Sequence, residues 1–442
     1  MNKKVIIFLI TIIPFISFSQ EILSLENAIK IGLKKNFDIQ LSRKNKEITQ
    51  LNNNLGNSGA LPTINISSKK EDAVSDQSNN PTSFIQEILS SESINASANM
   101  SWTLLSGYRI QATKEKLRQL EFLSNGNLTL IIENTTQAII LSYYNCILQK
   151  ERLKLLQNVV NLSRERLIYQ KTKYDIGVSS KMDVLQIETS LLTDSSNLLI
   201  QRLNYNNSVK NLNLVLGVDL NSEWNLTDKM SSKTQLFNFE ELQSEMFKNN
   251  TTMINQCINN EIIRQDIKLA KSVYYPIVSF NSGASYNEST YDIGDSGFEG
   301  NNTGETLNYY ANISVNFRLY DGGKYRTLLQ EAEIKNEIND LRLEKLQEET
   351  KNQLSINYEK YNSRIIIFNL SKKAFDIAEI NYQLANDKNN RGTINSFNLR
   401  DIEIAYLNSG ISYLQSTYNL NESYLEIVKF TGGILEDKSV NY

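Results

Sequence analysis

The chain has 442 residues with 46 Lys or Arg and 49 Asp or Glu mixed along it, a net charge of −3. That balance offers no polyanion-binding face, so nucleic acid is not an expected partner. Histidine is absent, which removes the commonest general base and metal ligand. No phosphate-binding glycine loop or zinc spacing replaces it, so no catalytic residue, metal or cofactor is expected and the chain is not read as an enzyme.

Residues 1–19 open with Asn2, Lys3 and Lys4, run apolar from Val5 to Ile13 and break at Pro14. They read as a secretory signal peptide cleaved near Ser19 or Gln20, because spanning ~30 Å of hydrocarbon needs ~20 apolar residues. No cysteine at that junction signals a lipid anchor. The rest has a mean hydropathy of −0.37 for the whole chain and no long apolar stretch. Transmembrane helices are excluded, but strands of a membrane barrel, with their weak alternating signal, are not.

A shift of 215 residues lays the chain on itself: Gly107 meets Gly322, Gly177 meets Gly392, Gly217 meets Gly432 and Trp102 meets Phe317. Pro62 meets Pro276 at 214. The chain is a tandem duplication, with repeat 1 over 20–220, a linker over 221–235, repeat 2 over 236–433 and a tail over 434–442. Cys146 and Cys257 do not match across the repeat and are read as buried small hydrophobes.

Each repeat begins with an amphipathic helix, Leu25 to about Leu55 and Phe239 to about Lys271, with Ser24 and Asn238 as N-caps. Each ends before its proline. Strands follow. Ile94, Ala96, Ala98, Met100, Trp102 and Leu104 alternate with polar residues, as do Leu307, Tyr309, Ala311, Ile313, Val315 and Phe317. Shorter partners carry Ile64 and Ile66, or Val278, Phe280, Ala284 and Tyr286. This predicts two hairpins of strands with one dry face, each strand roughly 9–11 residues, enough to cross a bilayer at a tilt. The polar segments Glu71 to Ser93 and Asn287 to Thr306 read as mobile loops.

From about Ile110 to Tyr174, and again from Tyr325 to Asn389, no proline interrupts the chain. Such a helix would be roughly 100 Å long. Heptad stripes run through it: Ile139, Cys146, Leu153, Val160, Leu167 and Tyr174 beside Leu141, Leu148, Leu155, Leu162 and Tyr169, twinned by Leu354, Tyr361, Phe368, Phe375 and Tyr382 beside Ile356, Leu370, Ile377 and Leu384. Two stripes give each helix two neighbours, as in a bundle or a closed ring. After the tips at Gly177 and Gly392 a returning helix carries Val184, Leu191, Leu198, Tyr205 and Leu212, or Leu399, Tyr406, Tyr413, Leu420 and Ile427.

Four amphipathic strands cannot close a membrane barrel, and lipid tolerates no open edge. Two chains would supply 8 strands and three 12, by four strands per chain, and only the larger number leaves an ample aqueous lumen.

The duplication, Pro62 and Pro276, the turns Leu105-Ser106-Gly107-Tyr108-Arg109 and Tyr320-Asp321-Gly322-Gly323-Lys324, and the tips around Gly177 and Gly392 together resemble the TolC-like outer-membrane efflux proteins, from about Ser24 to Gly433. The resemblance implies an α+β membrane protein: a homotrimer whose 12-stranded transmembrane β-barrel in the outer-membrane lipid continues as a periplasmic α-helical coiled-coil barrel. Its implied function is the exit duct of a tripartite efflux or type I secretion system, working with a periplasmic adaptor (membrane fusion protein) and an inner-membrane pump of the RND, ABC or MFS type. By position, the adaptor-contact tips fall on Tyr174, Asp175, Ile176, Gly177 and Val178, and on Asn389, Asn390, Arg391, Gly392 and Thr393. The periplasmic gate falls on Asp183, Asn398 and Asp401, with Asn389 and Ile394 where other members place gate-holding Tyr and Arg. A periplasmic adaptor or a structural coiled-coil protein of the envelope is the alternative, though neither needs two apolar-faced hairpins. The cargo is not legible.

Overall fold

The computed structural model describes residues 21–232, 234–293 and 302–435. The signal segment, the tail beyond 435 and the centre of the second polar segment lie outside them. In chain order the elements are β1 (Glu21–Leu23), α1 (Leu25–Lys35), α2 (Phe37–Asn52), β2 (Thr63–Asp76), β3 (Ile88–Ser106), α3 (Arg109–Asp175), α4 (Lys181–Leu216), β4 (Trp224–Leu226), α5 (Phe239–Asn249), α6 (Thr251–Ser272), β5 (Ile277–Ile293), β6 (Asn302–Asn316), α7 (Lys324–Asn390) and α8 (Ser396–Phe430). The chain forms two compact units, each drawing on both repeats: residues 41–130 with 250–351, and the remainder.

In the first of these units the two hairpins join as one antiparallel sheet in the order β2-β3-β5-β6. Its register sorts the side chains by face. Ile66, Ala98, Ala284 and Tyr309 lie on one rung, and Trp102, Phe280 and Ile313 on another. The opposite face is built of short polar side chains, with Ser67 bonded to Ser97 (2.9 Å) and Ser101 to Asn281 (3.0 Å). The apolar face is exposed at Ile64, Ile66, Tyr309, Ile313 and Val315.

The strands are longer than the alternation predicted, at 14, 19, 17 and 15 residues. The polar segments expected to be loops are therefore largely strand at their ends, with Asp72 opposite Glu92 and Glu288 opposite Glu305. Ladder hydrogen bonds continue where both faces are polar, and there the period-two signal vanishes. In the same unit Lys116 pairs with Asp266 and Lys114 donates to the Asn53 carbonyl (2.8 Å), fixing the start of α3 to α6 and α2. Cys257 on α6 is exposed, which corrects its reading as a buried hydrophobe.

The other unit holds the main core. Ile139, Tyr143, Cys146, Leu212 and Leu216 pack with Leu23 and Ile29, and Leu354, Tyr361, Leu420 and Ile427 extend the cluster. Each such side chain contributes about 1.5–3 kcal/mol by leaving water. Burial pushes the Cys146 thiol up to about 11, so this cysteine stays a protonated core residue. A parallel pair, β1 with β4, borders the core. It is tied down by Asp228 Oδ2, which accepts from the Leu25 N–H (2.7 Å) and the Tyr143 hydroxyl (2.8 Å).

The single leading helix expected in each repeat is two helices, broken at Asn36 and at Asn250. Each asparagine turns its Oδ1 onto the N–H three residues on, Ile39 or Met253, both at 3.1 Å, and so caps the second helix. Asparagine competes with the backbone for hydrogen bonds and favours a new start over continuation. At the other end of the repeats, a Cβ on Gly217 would meet the Lys35 carbonyl oxygen at 2.4 Å, and one on Gly432 the Asn249 oxygen at 2.6 Å. Only glycine allows the returning helices to end there, and both have positive φ, 70° and 77°.

Candidate functional site: the hairpin tips and the helices behind them

α3 and α7 each run 67 residues, within one residue of the predicted ends. They stop in the same way. The Gly177 N–H donates to the Tyr174 carbonyl and the Val178 N–H to that of Lys173; Gly392 to Asn389 and Thr393 to Lys388 repeat this, all at 2.9 Å. This double bond closes a helix through a left-handed glycine, with φ of 79° and 71°. A Cβ on either glycine would meet nothing within 4 Å, so the tips are bare turns.

Their surfaces differ. The first tip exposes Tyr174, Asp175, Ile176 and Val178, with Ile176 69% and Val178 66% accessible. The second exposes Arg391 and Thr393, with Asn389 half-buried and Asn390 the last residue of α7. The first tip presents Ile176 and Val178 beside the acid Asp175, whereas the second is polar and basic.

The positions expected to form the gate lie on the first two turns of the returning helices. Ser180 caps α4 in a capping box: its hydroxyl accepts from the Asp183 N–H (3.2 Å), and Asp183 Oδ2 accepts from the Ser180 N–H (3.1 Å) and from the hydroxyls of Ser180 (2.8 Å) and Ser179 (3.2 Å). The Ser180 hydroxyl leads in holding the Asp183 carboxyl below its usual range, so it is ionised at neutral pH. In α8 Asn395 takes the place of Ser180 and caps the Asn398 N–H (2.8 Å). Asn398 is the repeat twin of Asp183, so this box is half as complete. Asp401 stands exposed on the next turn of α8. The structure thus engages Asp183 within its own turn and leaves Asp401 facing water.

Behind the tips lies a group that sequence reasoning missed. Ser163 and Arg166 of α3, Asp194 of α4, and Arg400 and Glu403 of α8 form a buried charge cluster. Asp194 and Glu403 are only 4% and 3% exposed. Burial raises the Glu403 carboxyl above its usual range, against the pull of Arg166 and Arg400. The available signal was a set of charges on helix faces otherwise apolar, but Arg166 lies 237 residues from Glu403 and Arg400 206 from Asp194.

The remaining contrast is in the shafts. α7 and α8 meet through stacked rings: Phe375 against Tyr413 (5.6 Å, 10°) and Tyr406 (5.5 Å, 21°), and Tyr382 against Tyr406 (5.0 Å, 13°). α3 and α4 meet through Leu156, Val160 and Leu198, then Leu167, Val184 and Ile187.

The family described as outer membrane efflux protein matches residues 28–218 and again 242–433, one match per repeat. No curated protein matches the chain. Among solved structures, a membrane protein from Pseudomonas aeruginosa superposes with a TM-score of 0.75 at 12% identity, covering 92% of each chain. The CmeC outer membrane channel of Campylobacter jejuni gives 0.73 at 14%, covering 92% of this chain and 85% of that one. The open state of the MtrE outer membrane channel of Neisseria gonorrhoeae gives 0.70 at 14%, covering 93% and 89%. With both repeats matched, this chain belongs to the outer membrane efflux protein family, the non-enzymatic exit ducts by which efflux systems discharge across the bacterial outer membrane.

Proposed function

We propose that three copies of this chain close a twelve-stranded barrel in the outer membrane, with twelve helical passes forming a periplasmic tube. The observation that carries this is the sheet: four strands from two repeats paired antiparallel, with one register shift between Thr103 and Leu105, apolar on one face and polar on the other. β2 and β6 are its two ends, and in lipid each needs a partner from another copy. The helices support the same reading. Leu185, Leu192 and Leu199 on α4, and Ile356, Leu370, Ile377 and Leu384 on α7, are heptad stripes exposed in the single chain. Such stripes suit seams between neighbouring copies.

In this duct the tips, Tyr174 to Val178 and Asn389 to Thr393, contact a periplasmic adaptor, and the adaptor brings an inner-membrane pump of the RND, ABC or MFS type. Residues 1–19 direct export and are removed. Asp183 and Asp401 place carboxylates near the periplasmic mouth, where a narrow tube focuses their field on cations. Asn398 stands at the corresponding place in repeat 2 without charge. Outer-membrane fractions analysed without boiling should contain a heat-resistant trimer, and a soluble monomer would end the proposal. Replacing Asp183 and Asp401 with alanine should weaken block of single-channel current by multivalent cations; unchanged block removes them from the gate.

A further inference from the structure

The polar face of the sheet is built of short side chains, and Tyr310 of β6 is the large one near its middle. Its rung runs Asn65, Asn99, Gly283 and Tyr310 across β2, β3, β5 and β6, and the rungs on either side carry only serine, threonine and asparagine. A side chain on a strand stands roughly perpendicular to the sheet. Gly283, directly opposite, lets this one lie down. A Cβ on Gly283 would sit 2.8 Å from Tyr310 Cε1 and 2.6 Å from Asn99 Oδ1, so the ring edge and the Asn99 amide fill the space a side chain would take.

The ring is also tied. Its hydroxyl crosses β5 and donates to Asn99 Oδ1 on β3 at 2.9 Å. Asn99 Nδ2 donates to Ser97 Oγ at 3.0 Å, and Ser97 shares a 2.9 Å hydrogen bond with Ser67 on β2. One bonded chain thus reaches from the last strand of the sheet to the first. The repeat offsets put Lys69 and Asn95 in the places of Gly283 and Tyr310, and those two also stand opposite each other. The first hairpin therefore has neither the glycine nor the ring, and a trimer would hold three such tyrosines rather than six.

The size of the proposed barrel makes the posture of these rings matter. A barrel of about 8 strands is filled by its own side chains, and one of roughly 16–18 leaves a wide aqueous channel. Twelve strands stand between these. There, three tyrosines pointing inward would narrow the lumen, and three lying along the wall would leave it clear. Tyr310 remains 43% accessible as it lies, so nothing but the glycine and the tether keeps it down.

We propose that Gly283 and Asn99 hold Tyr310 flat against the wall, and that this sets the bore of the barrel and with it the largest cargo that leaves. This rests on the duct reading above. The test reads the barrel alone. In the full-length protein Cys257→Ser removes the exposed native thiol, while Cys146 stays buried. Ser279→Cys then places a thiol on the polar face, two rungs nearer the helices than Gly283. Membrane-impermeant maleimides with polyethylene glycol tails of graded length, added to intact cells, reach that thiol only past the level of Tyr310. Gly283→Ala pushes the ring off the wall and should slow the long-tailed reagent several-fold while leaving the smallest one unchanged. Adding Tyr310→Ala should restore the rate, and Tyr310→Ala alone should admit the long tail at least as fast as the unaltered wall. Asn99→Ala unties the hydroxyl and should slow the long-tailed reagent less than Gly283→Ala does.

The heat-resistant oligomer is checked in every preparation. Intact Gly283→Ala and Asn99→Ala oligomers labelled as fast as the unaltered wall would overturn the proposal, as would a slowing that Tyr310→Ala does not relieve. If Gly283→Ala does not assemble, Asn99→Ala decides alone, and its failure to assemble would make the bonded chain a folding element and overturn the proposal. If the smallest reagent never reaches position 279 in the unaltered wall, the polar face lines no lumen, and the duct reading falls together with the bore.

Discussion

The hairpins α3–α4 and α7–α8 descend from one unit and differ most where their register agrees best. Their bases are held alike, by Gly217 and Gly432 packed against a backbone oxygen. Their long helices have equal length and equal C-terminal turns. Between base and tip, Phe368, Phe375 and Tyr382 stand where the first repeat has Leu153, Val160 and Leu167, and Tyr406 and Tyr413 where it has Leu191 and Leu198. An aliphatic seam interdigitates, whereas stacked rings meet as planes. The heptad fixed where contacts fall, and the chemistry of the contact was free to change.

The largest test of this contrast is at the bases. Gly217→Ala drives a Cβ into the Lys35 carbonyl oxygen and should cost about 3 kcal/mol or more, seen as a lower temperature of oligomer dissociation. Gly177→Ala meets nothing and should cost only the ~1–2 kcal/mol of the left-handed backbone. Equal losses would mean that base and tip are not differently constrained.

Exchanging seam chemistry comes next. Phe375→Val removes two ring stacks and should cost about 2 kcal/mol, while Val160→Phe overfills the aliphatic seam by a similar amount. If either change were neutral by denaturant unfolding, the two seams would be interchangeable.

The smallest effect is at the caps. Asp183 holds the Ser180 N–H only while ionised, and its pKa is depressed in the folded chain. Amide protection at Ser180 should be full above the ordinary carboxyl range and fall as pH drops through the lowered value. Asn398 does not titrate, so protection at its tip should not follow. Parallel loss at both tips would sink the distinction, and Asp183→Asn should abolish the pH response at the first.

Much of the molecule was legible because duplication lets each signal be checked twice. The long helices ended where Gly177 and Gly392 put them, and the alternating face from Ile94 to Leu104 marked the centre of β3. The strand ends were not legible, since Asp72, Glu92, Glu288 and Glu305 stand on the face that is apolar at the strand centres and break the alternation. The breaks at Asn36 and Asn250 left a trace, two asparagines 214 apart, that helix amphipathicity hides. β1 and β4, three residues each and some 200 apart, carry no periodicity. The buried charges were least visible. Repetition exposes only what both copies share, and the twins of Arg400 and Asp194 are Leu185 and Ser409.

The order β2-β3-β5-β6 also bears on how the protein is made. In the proposed trimer β2 of one subunit meets β6 of the next, so each subunit has two seams, each a ladder of hydrogen bonds. Removing one subunit would require both ladders to open together within lipid. For that proposed trimer composition would be fixed at insertion: variants synthesised in the same cell would mix before the barrel closes, and trimers already in the membrane would keep the members they were built with for as long as they last.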